Sequence, residues 1–165
     1  MHQPQFYQSI LDFLGSVGIP IAEGALPDDT FLPGVALRSG GVIVDPDRLA
    51  WPGDLLHEAG HLAVLPSALR DKGDDELDLS DVEFGGELEA MAWAYAAAVD
   101  IGLPPDVLIH EGGYNGKSRE LLQMYTFGVY PGLRGLCETG MAASPGFTPE
   151  CGSIQYPRML KWLRD

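Results

Sequence analysis

The apolar residues of the first segment recur at helical spacing: Phe6, Ile10, Phe13, Leu14 and Val17 line one face, and Gly18 with Pro20 closes the pattern. A helix over 5–17 is predicted. A turn-rich connection over 24–33 leads into two β-prone runs, 35–38 and 42–44, which flank Ser39-Gly40-Gly41 and read as a hairpin ended by Asp45-Pro46. After Trp51-Pro52-Gly53-Asp54, an apolar run from Leu55 to Leu65 stops before Pro66, the pattern of a short helix.

Residues 70–83 hold seven acids against Arg70 and Lys72 and read as an exposed linker; their spacing lacks the alternating Asp pattern of a calcium loop. The stretch 82–102 is Ala-rich with few breakers after Gly86, so a long buried helix ending at Gly102 and Pro104 is expected. A further helix is predicted over 117–127 and a last helical turn over 160–163, with a Gly/Pro-dense segment between them. A hairpin or short sheet packed on two helices, followed by a loop-rich C-terminal third, is an α+β fold.

At 165 residues the chain suits a single domain spanning 1–165. The formal charge of −14, with 10 Lys and Arg in all, argues against a nucleic-acid partner and against an acidic membrane surface. Residues 1–18 lack the basic start and continuous apolar stretch of a secretory signal, so a cytoplasmic location is the expectation. Cys137 and Cys151 are then expected as thiols rather than as a disulfide.

One motif carries chemistry. His57-Glu58-Ala59-Gly60-His61 is the HExxH pattern, and residues four apart on a helix share a face, so both imidazoles can reach one tetrahedral zinc ion. Glu58 is one step round the helix, where it suits a general base for a metal-bound water. Two imidazoles and a carboxylate among Leu55, Leu56 and Leu62 would otherwise be half buried without compensation, which costs free energy.

The third ligand distinguishes the types of such sites. A metzincin would continue to Gly and His where this chain has Val64 and Ser67. A deformylase-like site needs an upstream cysteine, and both cysteines lie downstream. One HExxH-plus-Glu aminopeptidase pattern would put its Glu at Ser80, and the thermolysin pattern would put an Asp at Trp93.

The segment Glu87-Leu88-Glu89-Ala90-Met91-Ala92-Trp93-Ala94 instead resembles the second helix of the minigluzincin or ImmA/IrrE-type zinc metallopeptidases, and the resemblance covers roughly residues 30–100. It implies a small zincin-like domain in which His57, His61 and Glu89 hold zinc with a position left open for water. Small alanines beside Glu89 would let the two helices approach closely. Glu87, about 200° round the helix from Glu89, is the rival, because its own face at Ala90, Met91 and Ala94 is equally small.

His110 and Tyr114, in the Gly-rich segment 110–116, are candidate substrate-binding residues that could supply a donor to a developing oxyanion. His2, beside the N-terminus, is expected to be disordered. Together these features lead to a zinc-dependent hydrolase of peptide or protein substrates, with a non-catalytic zincin-fold protein that binds a partner protein as the alternative.

Overall fold

The computed structural model describes residues 1–73, 78, 80–144 and 154–165. Cys151 and several acids of the 70–83 segment lie outside the described residues; Cys137 is half-buried. The architecture is α+β. Helix α1 (Tyr7–Val17) is followed by β1 (Ile21–Glu23), β2 (Val35–Arg38) and β3 (Gly41–Val44). The HExxH segment forms α2 (Gly53–Ala63), and a short α3 (Ser67–Arg70) precedes the long α4 (Glu87–Ile101). The remainder carries α5 (Pro105–Leu108), α6 (Ser118–Thr126) and α7 (Leu133–Glu138).

The hairpin turns through Ser39 and Gly40, with φ of 49° and 75°. Two consecutive left-handed residues make the tight turn that matches strand twist, and glycine takes the second without strain. The turn pairs Val35 with Val44 and Leu37 with Val42 in an antiparallel ladder. Strand β1 adds in parallel on the other side of β3, giving the order β1-β3-β2. Three residues, Ile21-Ala22-Glu23, are too few to set up a periodicity, which is why β1 is not legible in the sequence. Val35, Leu37, Val42 and Val44 are buried in the same core cluster as Leu55, Leu56, Ala59 and Leu62 of α2.

Helices α2 and α4 form the centre of the molecule. Their approach depends on Gly60 inside the HExxH motif: a Cβ there would lie 2.5 Å from the carbonyl oxygen of Ala90, a distance real side chains do not tolerate. The buried alanines of α4, from Ala90 to Ala98, keep the facing surface equally low. Phe13 of α1 packs edge-on against Trp162 at 4.9 Å and near Trp93 at 6.0 Å, covering the back of this helix pair.

The helical turn expected over 160–163 is not formed. That segment runs as a strap whose backbone bonds to other elements: Trp93 Nε1 donates to the Trp162 carbonyl at 2.7 Å, Leu160 N to Met141 O, and Arg164 N to Ala63 O. Four apolar or basic residues cannot close a stable isolated turn, and tertiary partners take their backbone groups instead. The strap also serves the HExxH helix. Arg164 Nη1 donates to Val64 O, while Arg70 donates to Leu62 O and Leu65 O, so the carbonyls left open at the end of α2 are satisfied by two guanidinium groups.

His2 is likewise ordered. Its ring stacks on Trp51 at 4.1 Å and its backbone N–H donates to Ala50 O, so burial of an aromatic face decides its place despite its position near the end of the chain. Helix α7 is the other unanticipated element, set within the Gly/Pro-dense stretch. Gly132, at φ 88°, lies against the Leu88 carbonyl, where a Cβ would come within 1.9 Å, and this lets α7 enter close to α4. Among the described residues no helix is long and apolar enough to cross a membrane.

Candidate metal centre

His57 and His61 stand one turn apart on α2, and their imidazoles meet at nearly right angles with Nε2 atoms 3.2 Å apart. The third group is Glu87, the first residue of α4. One carboxylate oxygen lies 3.2 Å from His57 Nε2 and the other 3.3 Å from His61 Nε2. Ligand bonds of about 2.0–2.1 Å to a tetrahedral ion place neighbouring ligand atoms about 3.3 Å apart, close to the spacings seen. Among the described residues, His57, His61 and Glu87 are the His, Cys, Asp and Glu group able to hold a metal ion. Two nitrogens and one carboxylate match the donors such ions take, and three protein ligands leave a position open.

The third ligand inferred by resemblance, Glu89, is elsewhere. Its carboxylate reaches back to accept a hydrogen bond from Gly86 N at 3.3 Å, and it lies beneath Gly135, where a Cβ would be 2.4 Å from Oε1. A carboxylate at the third position of a helix satisfies one of its unpaired N–H groups and complements its dipole. Glu87 sits at the very start of the helix, where its side chain extends past the first turn toward α2. The helix begins at Glu87 rather than near 82, and that boundary decides which carboxylate meets the histidines.

The electrostatics of the cluster follow from these contacts. Burial pulls His57 down, but the hydrogen bond and charge of Glu87, with Glu58 and Asp54 adding to them, raise its pKa above the ordinary 6.5. Hydrogen bonds from His57 and then His61 hold the Glu87 carboxyl far below its ordinary 4.5 against partial desolvation. His57 Nδ1 is buried without a hydrogen-bond partner. Glu58 is buried beside His57, whose imidazole feels its charge.

A raised imidazole pKa adds stability below 6.5 that is lost as pH rises through the elevated value. A depressed carboxyl pKa adds stability above 4.5 that is lost on acidification. The Tm advantage of metal-free wild type over metal-free Glu87→Gln is therefore expected to peak between pH 4.5 and somewhat above 6.5 and to shrink on either side. Melting curves of chelator-treated protein across this range test it; an advantage that keeps growing toward alkaline pH would contradict the pairing.

A cleft of about 440 Å³ opens beside the cluster, lined by Phe31, Asp54, His57, Glu87 and the segment His110–Gly116. Asp54 is the residue of this site that motif reading overlooks. It lies three positions before His57 on the same helix face, is buried, and accepts a hydrogen bond from His110 Nε2 at 2.8 Å. Its signal in the sequence is the helical spacing of Asp54, His57 and His61. His110 also stacks flat on Trp51 at 4.5 Å, so its ring is held from an edge and a face.

Tyr114 lines the cleft too, but its hydroxyl donates inward to Leu108 O at 3.1 Å. The structure thus brings both substrate-binding candidates to the cleft, with His110 Nε2 bonded to Asp54, the Tyr114 hydroxyl bonded to Leu108 O, and His110 Nδ1 buried without a partner. No protein-family model matches the chain, and no curated protein or solved structure matches it significantly. What can be said of its chemistry rests on these residues.

Proposed function

We propose that the protein is a zinc-dependent hydrolase of peptide or amide bonds, of the HExxH-plus-Glu kind. The observation that carries this reading is the close triangle of His57, His61 and the Glu87 carboxylate at the edge of a cleft. When bound there, zinc would lower the pKa of a coordinated water and polarise a substrate carbonyl. His57 and His61, neutral and presenting Nε2, supply the nitrogen donors, while Glu87 offsets part of the ion's charge. Glu58, buried next to His57, takes the proton from the attacking water and returns it to the leaving amine.

A catalytic role accounts for Glu58 better than a structural metal site does, since structural zinc sites close with four ligands, commonly rich in cysteine. The resemblance of the helix-borne HExxH and the Ala-rich second helix to small glutamate zincins supports the same reading, with the ligand moved from Glu89 to Glu87.

The direct test measures metal content and zinc-dependent cleavage together. Wild-type protein is expected to bind about one zinc per chain and to cleave members of a peptide library. The double variant His57→Ala, His61→Ala should do neither. Zinc retained at full stoichiometry by the double variant would refute the site. A zinc-loaded wild type inert toward broad libraries would favour the partner-binding alternative.

A further inference from the structure

The charged side chains lining the cleft, apart from its histidines, are Asp54, Glu87 and Glu111; no lysine or arginine is among them. If Glu58 and Glu87 offset the two charges of a divalent ion, Asp54 and Glu111 remain as the charge of the cleft wall. This local balance has the same sign as the net charge of −14 on the whole chain. Low-dielectric walls focus such a field into a cleft.

The neutral groups point the same way. Asp54 accepts from His110 Nε2, so in the neutral ring the proton is on Nε2 and Nδ1 carries a lone pair. That Nδ1 is buried and has no donor. Gly112 packs against this edge of the ring, where a Cβ would come 3.4 Å from Nδ1 and 2.6 Å from Trp51 Nε1. The lining therefore carries acceptors and no cation: the Asp54 carboxylate, the exposed carboxylate of Glu111 and the imidazole of His110, whose Nδ1 lacks a donor. Phe31, 90% exposed, also lines the cleft and presents an aromatic face on which a cation can sit.

We infer that the cleft selects substrates bearing a cationic, N–H-rich group beside the bond to be cut, with Glu111 and Phe31 as the specificity-determining residues. A lysine or arginine side chain and a free amino terminus share this chemistry. The inference deepens the hydrolase reading above and rests on it for the word substrate, but selection of the cation is a property of the cleft alone.

The test uses peptides in matched sets, with lysine, norleucine or glutamate at each position in turn and the amino terminus free or acetylated. Binding is measured by calorimetry to zinc-loaded Glu58→Gln, and cleavage by zinc-loaded wild type. Lysine peptides are expected to bind and react about fivefold or more better than norleucine peptides, a preference that falls with added salt. Glu111→Lys should erase it, and Phe31→Ala should reduce it.

A drop in binding on acetylation that is the same for lysine and norleucine peptides would identify the amino terminus as the group recognised, and a lysine preference that survives acetylation would identify the side chain. Equal binding of lysine and norleucine peptides together with no loss on acetylation would overturn the inference, as would a preference for the cationic group untouched by Glu111→Lys. Preferential binding without any turnover would sink the hydrolase reading and leave the selection standing.

Discussion

Glu58→Gln is expected to retain zinc and fold while losing at least about a hundredfold in peptide hydrolysis, the usual size of a general-base contribution. Glutamine keeps the volume of the glutamate it replaces, a side chain buried in α2, so the packing around it is preserved. The amide cannot accept the proton of a zinc-activated water, so the water attacks unassisted. Wild type and variant are to be compared at matched zinc content. Equal cleavage by both would assign the activity to a contaminant or to another base, and the role given to Glu58 would have to be abandoned.

The second large effect concerns the third ligand. Glu87→Gln is expected to weaken zinc binding by on the order of a hundredfold or more, beyond the 10- to 100-fold typical of groups that only support ligands. Glu89→Gln should leave affinity within a few-fold of wild type and cost only the fraction of a kcal/mol, roughly 0.3–1, that a carboxylate contributes in the first turn of a helix. Competition with a chromophoric chelator reads both affinities, and melting curves read the stability cost. The reverse ranking would mean that the first turn of α4 is set differently in solution, with Glu89 rather than Glu87 facing His57 and His61.

The pair of glutamates also separates what could be read along the chain from what could not. Periodicity and punctuation are local properties, and they locate α1, the hairpin, α2, most of α4 and α6, because each spans several apolar repeats between clear breakers. The HExxH motif is similarly local: a four-residue spacing on one helix is enough to bring His57 and His61 together, with Glu58 next to His57.

Whatever joins distant segments was decided by tertiary structure. Glu87 and Glu89 are both acidic and both near a helix start, and only the approach of α4 to Gly60 of α2 and to Gly132 of α7 turns one toward the histidines and the other toward Gly86. The bond between Asp54 and His110 spans 56 positions, and the stack of His2, Trp51 and His110 joins three separate segments, so no window along the sequence contains either. The strap over 160–163 follows the same rule. Its propensity was too weak to choose a conformation, and the unsatisfied carbonyls at the end of α2 and the Trp93 indole chose it instead.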